Sequence, residues 1–120
     1  MIELYTAPTP NGRKVSIALE EYAVAYSVKT VDLQKNEQFE PDFLKMNPNN
    51  KIPVIFDSDR GSALAESGAI LIYLAEKYGA FWGEDRLETI QWLMWQMGGL
   101  GPMLGQVHYF SRYNSGKSVY

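Results

Sequence analysis

The backbone around Ile52 and Pro53 is suited to binding an extended peptide. Proline has no N–H for a strand ladder, and a cis bond in front of it turns the preceding backbone outward. Ile52 would then present its own N–H and C=O groups, as exposed sheet edges do when they capture a peptide strand. We therefore predict a cis Ile52-Pro53 bond and a ligand on the Ile52 backbone. The alternative is an ordinary edge-strand proline.

The pair Glu66-Ser67 could bind the charged end of such a peptide. It stands where a predicted strand at residues 62–65 gives way to a helix, so free N–H groups and the positive end of the helix dipole would face a ligand carboxylate. The Glu66 carboxylate would hold an ammonium group. The alternative is simple capping of the helix, which can coexist with binding. A ligand with an amino and a carboxylate group at one end and an amide backbone in its middle fits both segments, and glutathione has that layout.

These segments resemble two signatures of the amino-terminal, thioredoxin-like domain of glutathione transferases. The signatures are an apolar-Pro-apolar segment at the third strand and a Glu-Ser or Asp-Ser pair before the third helix. Residues 9–12 (Thr-Pro-Asn-Gly) and 48–53 (Pro-Asn-Asn-Lys-Ile-Pro) resemble the nu class and its fungal nitrogen-regulator relatives. The resemblance runs through Gly105-Gln106. It implies an enzyme that uses glutathione either to conjugate a small electrophile or to reduce a small disulfide.

The resemblance assigns the thiol chemistry to Thr9 and Asn11. Many thioredoxin-like proteins carry a reactive sulfur at the mouth of the first helix, but this chain contains no cysteine. The thiolate would be that of bound glutathione, stabilised by the Thr9 hydroxyl, the Asn11 amide and the positive end of the helix. One alternative is that both residues only cap the helix. The other is that Tyr5 stabilises the thiolate, as a tyrosine does in related classes, although we expect Tyr5 to have a packing role.

The same resemblance puts Lys51 and Gln38 near the glycyl carboxylate of glutathione. Lys51 could equally be a solvated surface charge. The glutathione-binding residues that the sequence predicts are therefore Asn11, Gln38, Lys51, Ile52, Pro53, Glu66 and Ser67.

Composition limits the other classes of function. The 120-residue chain is 46% hydrophobic, which is enough for one ordinary domain with a core. A formal net charge of −3 argues against a nucleic-acid partner. His108 is the only histidine, so a metal site would lack companion ligands. The longest apolar run, residues 68–75, is too short to span a bilayer, and no signal peptide is visible before the first strand. We expect a cytoplasmic protein without a metal or a membrane partner.

Hydrophobic periodicity predicts an α/β domain over residues 1–79, in the order βαβαββα of a thioredoxin-like fold. The predicted strands cover residues 2–5, 26–33, 54–56 and 62–65, and residues 57–61 form a hairpin connection. Helices are predicted at residues 13–22, 39–46 and 67–78, with an irregular loop before residue 13 and with Gly79 as a left-handed C-terminal cap.

Residues 80–120 are predicted to be a linker and the first helix of an incomplete all-helical domain. Asp85 and Glu88 resemble a capping box that opens this helix, and residues 98–102 (Gly-Gly-Leu-Gly-Pro) would kink or break it. Its tryptophans and methionines are assigned to packing. The apolar surface around Trp92 and Trp95 would favour association, and members of the resembled family usually dimerise, so we predict a homodimer. The predicted partners are glutathione or its disulfide and a small electrophile or disulfide. The alternative function is a non-catalytic glutathione-binding or regulatory module, or an inactive fragment.

Overall fold

Four strands form one mixed sheet in the computed structural model, which describes residues 1–114 and 116. They are β1 (Ile2–Thr6), β2 (Tyr26–Thr30), β3 (Val54–Asp57) and β4 (Ser62–Ala65), in the spatial order β2-β1-β3-β4. β1 pairs parallel with β2 and antiparallel with β3, and β3 pairs antiparallel with β4. Because β1 and β2 are parallel, a crossover must join them, and helix α1 (Pro10–Glu21) provides it.

Helices cover both faces of this sheet. α1 and α3 (Ser67–Tyr78) enclose one cluster with the apolar side chains of β1 and β3, and α2 (Pro41–Met46) contributes to a second cluster. The first cluster consists of Ile2, Leu4, Val15, Leu19, Ile55, Ile70 and Leu74. The second consists of Val31, Phe43 and Val54. The predicted thioredoxin-like order βαβαββα is confirmed, as is the left-handed Gly79 cap, whose φ is 68°.

The first helix begins earlier than predicted. α1 starts at Pro10, so the expectation of irregular structure up to residue 13 was wrong. Proline at the first helical position needs no N–H partner, and the Thr9 side chain caps the turn that follows. β2 ends at Thr30, short of the predicted end at residue 33. The segment that follows β2 forms two short 3₁₀ turns, Leu33–Lys35 and Glu37–Phe39, before α2.

Asp57 is the last residue of β3, where the sequence predicted a turn residue. Its side chain is 0% exposed. It accepts hydrogen bonds from Tyr73 Oη at 2.7 Å, Lys77 Nζ at 2.5 Å and the Asp59 N–H at 3.1 Å. Burial alone would raise the pKa of Asp57, but these bonds and the Lys77 charge lower it to about 2. These hydrogen bonds hold α3 against the sheet at the end where β1 begins and β3 ends.

The chain divides into two compact units, Met1–Phe81 and Trp82–Tyr120. In the second unit, α4 (Arg86–Trp95) and α5 (Gly101–His108) alternate with the π-helical segments Gln96–Leu100 and Tyr109–Tyr113. Asp85 caps α4 by accepting from the N–H groups of Leu87 and Glu88 at 2.8 and 3.2 Å. No described residue of this unit is buried, and Trp92 and Trp95 are each 54% exposed. Within this unit, the described packing of these two tryptophans on each other is an edge-on contact with 5.7 Å between ring centroids.

At residues 98–102, where the sequence predicted a kink or a break, the helix is not broken but contains a π-helical turn. Leu100 and Gly101 keep right-handed helical dihedrals, and the π-helical segment Gln96–Leu100 leads directly into α5. Pro102 has no N–H to donate, and a π-helical turn changes the hydrogen-bond spacing around it without ending the helix. Among the described residues, no helix is both long and apolar enough to cross a membrane.

Candidate functional site

Strand register brings the predicted binding segments to one end of the sheet. Tyr5 near the end of β1 pairs with Val54 at the start of β3, and Val54 pairs with Ala65 at the end of β4. Because the chain leaves β1 and β4 at this end and enters β3 there, the loops that carry Thr9, Ile52 and Glu66 emerge side by side. The sequence predicted that the Ile52 and Glu66 segments bind one ligand, and the antiparallel pairing makes these two segments neighbours.

Thr9 caps the amino end of α1 at this edge. Its Oγ1 accepts a hydrogen bond from the Gly12 N–H at 3.2 Å, so the capping alternative is an observed role of Thr9. Asn11 lies in the first turn and is exposed. The helix start is pressed against the end of β1, because a Cβ on Gly12 would meet Thr6 Oγ1 at 2.3 Å and the Ala7 carbonyl at 2.4 Å. The positive end of the helix is thereby held against the sheet edge.

Ile52 presents an unpaired backbone. The Ile52-Pro53 bond is cis, as the sequence predicted. Among the residues that the structure describes, no group donates to the Ile52 carbonyl or accepts from its N–H. The Ile52 side chain is half-buried against the second cluster, formed by Val31, Phe43 and Val54, and Pro53 is buried. The segment is therefore anchored by its side chains. Its backbone is left available to an extended ligand.

Glu66 and Ser67 occupy the start of α3 in different ways. Glu66 is the N-cap residue of α3, is exposed and has a φ of 70°, but its side chain makes no capping hydrogen bond to the helix. A positive φ is unfavourable for a glutamate, and such residues cluster at ligand-binding positions. Ser67 is the first helical residue and is 3% exposed. The Glu66 carboxylate therefore faces outward from a fixed backbone at a helix amino end.

Lys14 is a neighbour of Glu66 that the sequence did not indicate. It lies in the second turn of α1, the helix that packs beside α3. Burial lowers the pKa of Lys14, and the Glu66 carboxylate opposes that effect. Only the packing of α1 against α3 brings these two charges close, since they are far apart along the chain.

Lys51 and Gln38 differ in their surroundings. Lys51 is exposed, and its carbonyl oxygen accepts a hydrogen bond from Asn47 Nδ2 at 2.8 Å. Gln38 lies in the 3₁₀ turn Glu37–Phe39, and its Oε1 is buried without a hydrogen-bond partner among the described residues. A buried amide oxygen is rarely left unpaired in proteins, so Gln38 suits a ligand group or the opposite amide orientation.

Tyr5 packs on the face of the sheet that α2 covers. Its Oη donates to Glu3 Oε2 at 3.0 Å, and its ring packs against the cluster of Val31, Phe43 and Val54. Burial first, and then the Glu3 carboxylate, raise the pKa of Tyr5. The ring lines an open hollow of about 330 Å³ beside α2, together with residues such as Glu40 and Phe43. A phenol that already donates to a carboxylate is a poor donor to a thiolate.

The described residues contain no group of three or more histidine or acidic side chains that could hold a metal ion. His108 ends α5, and its ring packs edge-on against Tyr113 at 5.4 Å between centroids.

Comparison with known proteins identifies relatives over most of the chain. A family profile described as "Glutathione S-transferase, N-terminal domain" matches residues 1–76. The disulfide-bond oxidoreductase YfcG of Escherichia coli (strain K12) is 56% identical over 119 residues, which cover 92% of this chain and 55% of that relative. The chain spans about half the length of the relatives described here.

Two solved structures are similar in both sequence and shape. A glutathione transferase family member from Pseudomonas fluorescens pf-5, with two glutathione bound, is 53% identical with a TM-score of 0.88, and the match covers 92% of this chain and 52% of the other. A glutathione transferase from Pseudomonas putida, with one glutathione disulfide bound per subunit, is 49% identical with a TM-score of 0.90. That match covers 98% of this chain and 54% of the other.

Proposed function

We propose that this chain, which belongs to the glutathione S-transferase family, binds glutathione at the sheet end formed by Thr9, Ile52 and Glu66 and contributes to glutathione-dependent disulfide reduction or conjugation. The observation that carries the proposal is the unpaired Ile52 backbone, which lies between a helix amino end at Thr9 and an outward-facing Glu66 carboxylate. These groups match the amide backbone, the thiol and the amino end of one tripeptide.

The binding roles follow from the charge and direction of each group. The Glu66 carboxylate holds the γ-glutamyl ammonium, and the amino end of α3 at Ser67 receives the adjoining carboxylate. Ile52 pairs with the cysteinyl backbone through its N–H and C=O. Lys51 and Gln38 take the glycyl carboxylate, and for Gln38 the Nε2 group is the donor.

The thiolate of bound glutathione lies at the start of α1. The 120-residue chain contains no cysteine, so the sulfur comes from the ligand. Thr9 Oγ1 accepts from the Gly12 N–H, which leaves its hydroxyl hydrogen available to the thiolate. The Asn11 amide and the helix dipole add further stabilisation of the negative sulfur. Tyr5 has no part in this step, because its hydroxyl donates to Glu3.

Disulfide exchange is the reaction that the relatives favour. One similar structure contains two glutathione molecules and another contains glutathione disulfide, which are the reduced and oxidised members of one couple. In this reaction the thiolate attacks one sulfur of a small disulfide and releases the other as a thiolate. The thiolate of a second glutathione then attacks the glutathione sulfur of the mixed disulfide, which releases the remaining half of the substrate as a thiolate and leaves glutathione disulfide. In conjugation the same thiolate would attack an electrophilic carbon.

Calorimetric titration with glutathione and with glutathione disulfide tests the binding step. We expect Glu66→Gln to weaken binding by roughly 1 to 3 kcal/mol, the scale of a lost charge-assisted hydrogen bond. Glu21→Gln is the matched control, because Glu21 is exposed and ends α1 at the opposite end of the helix. Equal affinities of both variants and the unsubstituted chain would rule out the role of Glu66.

A non-catalytic glutathione-binding module is the second candidate. The chain spans about half of its relatives, and the binding groups named above all lie in the first unit. A chain that binds glutathione but shows no turnover with small disulfides or electrophiles in the presence of glutathione would favour this candidate. A cytoplasmic location and a homodimer remain predictions, and the exposed aromatic surface of α4 supports the dimer.

A further inference from the structure

Asn47 is a buried residue to which neither the sequence nor the proposed mechanism assigns a role. It follows α2 directly and is 5% exposed. Its backbone N–H donates to the Phe43 carbonyl at 2.9 Å, and its own carbonyl accepts from the Asn50 N–H at 3.0 Å. Its side-chain Oδ1 accepts from the Asn49 N–H at 3.0 Å, and its Nδ2 donates to the Lys51 carbonyl at 2.8 Å.

These contacts determine which way the Asn47 amide points. The Asn49 N–H can only donate and the Lys51 carbonyl can only accept, so the oxygen of the amide must face Asn49 and its nitrogen must face Lys51. The exchanged orientation would put two donors together and two acceptors together. The direction of the Nδ2 donor is therefore fixed by its partners.

The Lys51 carbonyl and the Ile52 N–H belong to the same peptide group. That group is planar, and it is trans, since the cis bond of the chain is the next one, Ile52-Pro53. In a trans peptide the C=O and N–H bonds point in opposite directions. A hydrogen bond that draws the Lys51 oxygen inward to Asn47 therefore turns the Ile52 N–H outward, where no described group accepts it.

We propose that Asn47 is a positioning residue for ligand binding, which aims the Ile52 N–H at the glutathione backbone by holding the Lys51 carbonyl. The proposal rests on the proposed function, because it assigns the Ile52 N–H to the ligand. Asn47 acts through the Lys51–Ile52 peptide and does not itself touch the ligand. The competing explanation is that Asn47 only ends α2 and stabilises the loop.

Asn47→Asp separates these explanations. The new carboxylate keeps an oxygen for the Asn49 N–H but puts a second oxygen against the Lys51 carbonyl, which then turns away. We expect glutathione affinity at pH 8 to fall about tenfold, the effect of losing one backbone hydrogen bond to the ligand. When the carboxyl group is protonated, its O–H can donate to the Lys51 carbonyl as the amide did. Burial and the facing Lys51 carbonyl raise the pKa of this carboxyl above its ordinary value of about 3.9, so the ratio of variant to unsubstituted dissociation constants should fall as the pH is lowered from 8 to 5.

Asn49→Asp is the matched control. It adds the same charge to the same loop, but the Asn49 side chain is exposed and forms no hydrogen bond with any residue that the structure describes. Its affinity ratio should stay near one at both pH values. Dividing by the affinity of the unsubstituted chain at the same pH removes titrations that both proteins share. An unchanged affinity of Asn47→Asp at pH 8 would overturn the proposal, and so would an equal loss in Asn49→Asp.

A ligand-free measurement separates failure of this inference from failure of the proposed function. The orientation of the Ile52 N–H vector, measured by NMR residual dipolar couplings, should change in Asn47→Asp and stay the same in Asn49→Asp. An unchanged vector would overturn the inference even if glutathione binds. Absence of glutathione binding to the unsubstituted chain would refute the proposed function. The measurement of the Ile52 N–H orientation would still test the role of Asn47. If Asn47→Asp does not fold, Asn47→Ala removes the same donor without adding a charge, and an unchanged Ile52 vector there would have the same meaning.

Discussion

Replacing Asp57 with asparagine should lower the stability of the first unit by an amount that depends on pH. The Asp57 carboxylate is fully buried at the end of β3 and accepts hydrogen bonds from Tyr73, Lys77 and the Asp59 N–H. Asparagine keeps the size of the side chain but removes its charge. Lys77 would keep only its second partner, the exposed Asp59 carboxylate at 2.7 Å.

The size of the effect follows from the pKa of Asp57, which is about 2 in the folded protein against an ordinary value of 3.8. A depressed folded-state pKa stabilises the protein at pH values above the unfolded-state pKa, and that contribution disappears as the pH falls through the folded-state pKa. At roughly 1.4 kcal/mol per unit, the contribution is about 2 kcal/mol at neutral pH. Loss of one partner of a buried ion pair is more costly, so we expect a total loss of about 3 kcal/mol at pH 7.

Urea unfolding followed through the backbone amide signals of Leu4 and Ile55 measures this loss in the correct unit. All three tryptophans lie at or beyond Trp82, so tryptophan fluorescence would report on the second unit. The difference between the two proteins should shrink by about 2 kcal/mol between pH 5 and pH 2.

Asp59→Asn is the matched control for this experiment. It removes a carboxylate that contacts the same lysine but is exposed, so we expect a much smaller loss than for Asp57→Asn. Equal losses for Asp57→Asn and Asp59→Asn, or a difference from the unsubstituted chain that does not vary between pH 5 and pH 2, would refute the reasoning. Asp57→Asn should leave glutathione affinity unchanged. Asp57 is the last residue of β3, whereas Ile52 lies before the first residue of that strand, at its opposite end.

The other predictions concern chemistry, packing and association. Where turnover is detected, Thr9→Ala and Asn11→Ala should each lower it about tenfold, the effect of one lost hydrogen bond to the thiolate, whereas Tyr5→Phe should change it little. The reverse pattern in a steady-state assay would favour a tyrosine mechanism. Gly12→Ala should cost about 1 to 3 kcal/mol in urea unfolding through overpacking, because its Cβ would meet oxygen atoms of the preceding segment at 2.3 and 2.4 Å. Gly98→Ala is its control, with no atom within 4 Å of the added Cβ. The chain should self-associate through the exposed apolar side chains of its second unit, and a monomer at all concentrations in sedimentation velocity would contradict this.

Local signals in the sequence account for the parts of the fold that were predicted correctly. The Asp85 cap, the Gly79 cap and the cis Ile52-Pro53 bond all depend on residues within a few positions of one another. The helix at residues 13–22 was predicted for the same reason, since its apolar residues recur at helical spacing. These interactions are specified by neighbouring residue types, whatever the rest of the chain does.

The first turn of α1 shows a local signal that was misread. Thr9 followed by Pro10 was interpreted as a stiff loop, yet a capping residue before a proline is also a normal helix start. The second unit shows the opposite limit. Its helical pattern was predicted, but the exposure of Trp92 and Trp95 depends on what covers them, which residue type does not specify.

The sequence by itself determined the family resemblance, the order of the strands and helices, and the residue types at the proposed glutathione site. Tertiary structure alone decided that Asp57 is a buried anchor, because Tyr73 and Lys77 reach it from a helix 16 and 20 residues further along. It likewise brought Lys14 toward Glu66 by packing α1 beside α3. A residue's burial and charge partners are set by elements distant in sequence, whereas caps and turns are set by residues a few positions away, and for that reason only the latter could be predicted.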